Sequence, residues 1–226
     1  MYKAIIFDLD GTLLNTLDDL AAACNHALLA CGYPARTVEE VRAFVGNGIR
    51  KLMERALPPA ATDEMIDQAL DVFRAHYALH NSDRTQPYPG ILPMLEALKQ
   101  RGLPICVLSN KNDPNVQALC RRYFPGLITL AAGEKPDLRP KPHPDGVLWL
   151  CSQLGLSPAD VCLVGDSEVD VATARAAGVP LLAVDWGFRS QEQLRAAGAE
   201  TVAHSAEELT AFFSFESKEK NQKKTS

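Results

Sequence analysis

Residues 4–11 read AIIFDLDG, a short apolar run with two isoleucines and a phenylalanine, broken by Asp8, Asp10 and Gly11. An apolar run of this length that ends in Asp-Gly makes a buried strand closed by a turn. The signature recurs after Tyr88-Pro89-Gly90. LPICVLS (103–109), the stretch from Leu127 to Ala131, DVCLVGD (160–166) and PLLAV (180–184) read as further strands. Helical segments lie between them. One spans 90–101 and closes at Gly102, one opens at Asp113-Pro114 with proline in the first turn, one opens at His143-Pro144, and one reaches Gly178. Strands alternating with helices of this length imply a parallel sheet with helices on both faces.

The block between the first and second strands breaks this rhythm. Thr16 with Asp19 reads as a capping-box start, and Leu20, Ala21, Cys24, Ala27, Leu28 and Cys31 then share one helical face before Gly32. Thr37 with Glu40 repeats the signal. VGNG (45–48) interrupts, a third helix runs from Ile49 to Pro58-Pro59, and Met65 to Tyr77 gives a fourth. The expected fold is α/β: a doubly wound, Rossmann-like parallel sheet with an inserted all-helical domain. The core takes 1–14 and 86–216 and the insertion 15–85. The tail 217–226, SKEKNQKKTS, is polar and aperiodic, and is expected to be disordered and solubilising.

Composition bounds the function. The 226 residues are 46% hydrophobic and 23% charged with a net charge of −5, so a globular protein is expected and general affinity for nucleic acid is not. No apolar run reaches the roughly 18 residues of a membrane span, and the N-terminus lacks the pattern of a secretory signal. Cys24, Cys31, Cys106, Cys120, Cys151 and Cys162 are scattered without zinc-type spacing. They read as buried reduced thiols, which fits a reducing cytoplasm; a monomer or homodimer is expected.

In open α/β sheets, ligands bind beyond the carboxyl ends of the strands. There the sequence sets Asp8, Asp10, Gly11 and Thr12; Ser109, Asn110 and Lys111; Lys141 within RPKPHP; and Gly165, Asp166 and Ser167 with Asp170 one turn on. Singly, each has a plain structural reading: a turn aspartate, a helix cap, a surface lysine. Together they gather four carboxylates at one edge, where either their pKa values rise or a hard cation such as magnesium sits among them. A lysine, a hydroxyl and helix-start amides beside that cluster suit a phosphoryl dianion.

FDLDGTL (7–13), LSNK (108–111), KPHP (141–144) and VGDSEVD (164–170) resemble the four motifs of the haloacid dehalogenase superfamily. The resemblance runs to about residue 213 and includes a helical cap between the first and second motifs. It implies a magnesium-dependent phosphatase in which Asp8 is the nucleophile and Asp10 the general acid and base. Asp8, Asp166 and the Asp10 carbonyl would hold the metal. Ser109 and the amide of Asn110 would hold phosphoryl oxygens, and Lys141 would pair with Asp8. Asp170 would orient Lys141 or a metal-bound water. VGNGIRKLMERAL is similar to the phosphoglycolate phosphatase branch, which would place Gly46, Asn47, Gly48 and Arg50 against a small phosphorylated metabolite. Two alternatives stay open: a β-phosphoglucomutase-like or pyrophosphatase-like enzyme, and a receiver-like phospho-accepting module.

Overall fold

The computed structural model describes residues 2–222, with side chains as far as Ser214. The elements in chain order are β1 (Ala4–Phe7), β2 (Leu14–Asn15), α1 (Leu17–Ala30), α2 (Val38–Phe44), α3 (Ile49–Ala56), α4 (Asp63–His80), β3 (Gln86–Pro87), α5 (Ile91–Gln100), β4 (Ile105–Asn112), α6 (Asp113–Tyr123), β5 (Leu130–Glu134), α7 (Asp145–Leu154), β6 (Val161–Gly165), α8 (Glu168–Ala177), β7 (Leu181–Val184), α9 (Gln191–Ala197), β8 (Val202–Ala203) and α10 (Ala206–Gln222). The chain forms two compact units, Leu14–Gln86 and the remainder.

In the larger unit, six strands pair in the order β5-β4-β1-β6-β7-β8, every pair parallel. This is the doubly wound α/β sheet expected from the alternation. After β1 the chain adds β4 and β5 on one side, then returns to add β6 on the other. The order therefore reverses beside β1, and the crevice at its carboxyl end is where such sheets bind ligands. The strands read as unbroken apolar runs because both faces are covered. All four residues of β1 and all five of β6 are buried. On one face Ala4, Ile6, Leu108, Leu163 and Ala132 pack with Val147, Leu150 and Cys151 of α7 and Ala174 and Ala177 of α8. Each fully buried Leu or Ile there contributes about 1.5–3 kcal/mol. Five of the six cysteines are buried, and burial pushes the thiols of Cys24 and Cys120 up to about 12, as expected of inert core residues.

Three elements differ from the sequence expectation. The third strand of the core begins at Leu130, three residues later than read, and runs through Gly133. Its glycine is required by proximity: a Cβ there would lie 2.5 Å from the Lys111 carbonyl oxygen and 2.6 Å from the Asp113 Cα. Thr16 precedes α1 but makes no capping hydrogen bond. Asp19, 2% exposed, instead accepts from the amides of Arg84 (3.0 Å) and Thr85 (2.9 Å) and from the Thr85 hydroxyl (2.7 Å). The capping box at Thr37 and Glu40 is present as read. Finally, the backbone of α10 continues to Gln222, so 217–222 is helical rather than structureless. Lys, Glu and Gln favour helix, and extending a helix already nucleated is far easier than starting one. The rest of the expected tail, 223–226, lies outside the described residues.

The smaller unit holds α1 to α4, with α1 packed along α4. Among the described residues, no helix is long and apolar enough to cross a membrane.

Candidate active site

The carboxyl ends of β1, β4 and β6 bring the sequence-derived candidates together. Asp8 follows β1 directly, its backbone still on the sheet through a 2.8 Å bond from its amide to the Val164 carbonyl. Its Oδ1 accepts from the Leu9 amide (2.7 Å) and lies 3.0 Å from Lys141 Nζ. Lys141 Nζ also donates to Asp170 Oδ1 at 2.6 Å. The other oxygen of Asp170 takes the hydroxyl (2.6 Å) and amide (3.2 Å) of Ser167, which caps α8. Asp170 can come this close to the strand because Gly165 has no side chain: a Cβ there would sit 2.3 Å from the Asp170 Cγ. Asp166 Oδ1 accepts from the Thr12 hydroxyl and Oδ2 from the Phe188 amide, each at 2.8 Å.

One oxygen from each of Asp8, Asp166 and Asp170 lies within 4.8 Å of the others, and all three residues are buried. Burial is the main force that lifts the Asp8 carboxyl well above its usual range; Lys141 opposes it, and Asp170, Asp166 and Asp10 add to it. Burial likewise pushes Asp166 up to about 7, helped by Asp170 and opposed by the Phe188 amide and the Thr12 hydroxyl. Burial would depress Lys141, yet the adjoining Asp170 and Asp8 carboxylates raise it above the ordinary lysine value, so it stays an ammonium. One ammonium does not balance three carboxylates. The remaining negative charge, offered through oxygen atoms alone, fits a hard divalent cation.

Asp10 faces β4. Its Oδ2 is 3.4 Å from the Ser109 hydroxyl and its Oδ1 is 2.9 Å from Lys111 Nζ, which is itself buried. Nothing in the local pattern around Lys111 marks this contact, because its side chain meets Asp10 only through the pairing of β4 with β1. Asn110 also does more than its backbone suggested. Its side-chain oxygen accepts from the Lys141 amide (2.8 Å) and its nitrogen donates to the Lys141 carbonyl (2.9 Å). This paired grip fixes the backbone of the lysine loop on the end of β4.

Gly46, Asn47, Gly48 and Arg50 belong to the other unit. Gly48 precedes α3 with a φ of 83° that favours glycine. The Asn47 side chain accepts from Arg55 at 2.7 Å. Arg50 is ion-paired to Glu54 (3.4 Å), Asp63 (3.1 Å) and Asp67, all within its own unit.

Residues 5–184 match the haloacid dehalogenase-like hydrolase family. The chain is 34% identical over 195 residues to a phosphoglycolate phosphatase of Thiobacillus denitrificans, covering 82% of this chain and 84% of that protein. It is 35% identical over 214 residues to a plasmid-encoded phosphoglycolate phosphatase of Cupriavidus necator, covering 92% and 91%. Among solved structures, a protein of Lactobacillus delbrueckii subsp. bulgaricus assigned as a phosphoglycolate phosphatase superposes with a TM-score of 0.90 at 37% identity. That superposition covers 92% of this chain and 97% of the other.

Proposed function

The chain belongs to the haloacid dehalogenase-like hydrolase family and is a phosphoric monoester hydrolase, and from that premise we propose that it hydrolyses phosphoglycolate through an aspartyl-phosphate on Asp8, with magnesium as the cation. The observation that carries this reading is the buried cluster in which Lys141 lies 3.0 Å from Asp8 while Asp166 and Asp170 stand within 4.8 Å.

Asp8 Oδ1 is held by the Leu9 amide and Lys141, and Oδ2 makes the attack. A bond forms from Oδ2 to phosphorus as the bond from phosphorus to the leaving oxygen breaks. The electron pair stays on that oxygen, which takes a proton from Asp10. In the second half, water attacks phosphorus and gives its proton to Asp10; the bond from Asp8 to phosphorus breaks and inorganic phosphate leaves. The Lys141 ammonium stabilises charge on the transferring group, and Asp170 holds that ammonium in line. The Ser109 hydroxyl and Asn110 amide hold the phosphoryl oxygens. Asp8, Asp166 and the Asp10 carbonyl would hold the cation. Magnesium, when bound, neutralises carboxylate charge that would repel a phosphate dianion and draws charge from the phosphoryl oxygens. Substrate choice is assigned to the helical unit and its turn at Gly46, Asn47 and Gly48, on the likeness of that stretch to phosphoglycolate phosphatases.

The test is a comparison of kcat/KM for phosphoglycolate, pyrophosphate and sugar phosphates, read as released phosphate. Phosphoglycolate is expected to rank first, with one phosphate released per substrate consumed. A higher rank for pyrophosphate, or conversion of a sugar phosphate without phosphate release, overturns the substrate or the reaction type. Asp8→Asn is expected to abolish turnover, and phosphate release by that variant removes the nucleophile assignment.

A further inference from the structure

The segment Asp185–Arg189, DWGFR, lies between β7 and α9 and belongs to none of the four motif stretches. It is tied down along its whole length. At its start, Asp185 Oδ2 is 2.6 Å from His204 Nδ1. At its end, the buried Arg189 sets two nitrogens on the Glu168 carboxylate, Nε at 2.8 Å and Nη2 at 3.2 Å. In between, the Trp186 indole donates to the Thr12 carbonyl at 3.1 Å, and the Phe188 amide donates to Asp166 Oδ2 at 2.8 Å.

Gly187 is the point of closest approach. A Cβ on it would lie 2.3 Å from the Gly11 carbonyl oxygen, 2.4 Å from Asp166 Oδ2 and 2.5 Å from Asp166 Cβ. The backbone of the segment therefore rests on the Asp166 side chain and on the turn that follows the β1 aspartates. With Thr12 on Oδ1 and Phe188 on Oδ2, rotation of the Asp166 carboxylate is blocked from both sides. Each oxygen carries one of these hydrogen bonds and keeps a lone pair for another partner.

We infer that Asp185–Arg189 is a strap that positions Asp166 for the cation, with Gly187 as its contact point and the Arg189–Glu168 fork as its lock. The inference rests on the proposed role of Asp166 as a metal ligand. A carboxylate already held in its binding pose loses no rotational freedom when a cation arrives, and partners that orient a ligand in this way typically govern metal affinity by about 10–100-fold. Arg189→Lys keeps the charge but cannot reproduce the fork, because an ammonium is a point donor.

The experiment measures magnesium and manganese binding directly on the full chain, by calorimetry and by manganese resonance, without substrate. Thermal melting of the metal-free protein is measured beside it. Arg189→Lys and Glu168→Gln are each expected to weaken metal binding by about tenfold while the metal-free melt stays close to that of the parent. Raised magnesium is expected to restore their kcat. Arg195→Lys, on α9 but outside the strap, is the control and is expected to bind metal as the parent does. Gly187→Ala is expected to lose binding further; if it fails to fold, the two lock variants decide. Asp166→Asn separates the two ideas. Parent-like metal binding by Asp166→Asn overturns the metal assignment itself. Loss of binding in Asp166→Asn with parent-like affinity in Arg189→Lys and Glu168→Gln overturns the strap. A fall in the metal-free melt that accounts for the whole loss of affinity also overturns it, since Arg189 would then only support the fold.

Discussion

Asp19 shows what a single buried carboxylate does in this chain. It lies in the first turn of α1, where a negative charge favours the helix N-terminus, yet its oxygens are taken by residues 84 and 85 at the far end of the same unit. Three donors converge on it, and removing the carboxylate would take that acceptor from the part-buried Arg84 amide and from the amide and hydroxyl of the buried Thr85. Asp19→Ala is expected to destabilise the helical unit by about 3 kcal/mol, read by urea unfolding. A loss under about 1 kcal/mol would mean that water replaces the carboxylate without penalty. At this scale the legible residues were those placed by chain position alone. Asp8, Ser109, Lys141 and Asp166 each adjoin an apolar run or a proline turn, so the rule about strand ends found them. The partners of Asp19 and Lys111 were not legible, because they lie across the fold at separations that the local pattern does not encode. Asp185 was within reach of the same rule, since it directly follows the predicted strand PLLAV.

Gly133 lets β5 approach the junction of β4 and α6, and its amide bonds Asp113 at 2.8 Å. Gly133→Ala would press a methyl group into the backbone of Lys111 and Asp113, which cannot swing aside as a flexible side chain could. We expect a loss of about 1–3 kcal/mol together with a fall in kcat, because Lys111 at that strand end is 2.9 Å from Asp10. A stable variant with parent kcat would show that β4 does not hold Asp10 in place. In the helical unit, α1 and α4 present a column of imidazoles. His26 stacks on His76 with ring centroids 4.2 Å apart, and His76 on His80 at 4.4 Å. Burial lowers the pKa of His76 below its usual value, His26 and His80 lower it further, and Asp83 opposes them. The sign follows. The folded chain resists a proton that the unfolded chain accepts near pH 6.5, so the stability is present above about 6.5 and is lost as pH falls through the folded value. His76→Gln is expected to flatten the fall in melting temperature below pH 6.5 relative to the parent, and an unchanged slope would assign it to other groups.

For the whole molecule, the decisive quantity is the charge gathered in one buried place. A cation that binds only the folded sheet unit must stabilise it: at a magnesium concentration 100 times the dissociation constant the gain is about 2.7 kcal/mol. For a chain of this size that corresponds to a rise of about 5–10 °C in the transition of the sheet unit. A chelator is expected to reverse the shift and stop phosphate release, and added magnesium to restore both. A melt indifferent to magnesium, or full activity after exhaustive chelation, would remove the cation from the site.

The sequence by itself determined the α/β class, the helical interruption after the first strand and the candidates at the strand ends. These follow from periodicity and turn chemistry, which are local and survive in one dimension. Strand order, the Asp10–Lys111 pair, the grip of Asn110 on Lys141 and the DWGFR segment against Asp166 were decided only in three dimensions. Each depends on contacts between segments separated in the chain, and where strands pair, a shift of one residue turns a side chain to the opposite face. The same holds for Gly11, Gly165 and Gly187. Their letters mark turns in a sequence, but only the packed structure reveals that the missing side chains make room for two buried aspartates.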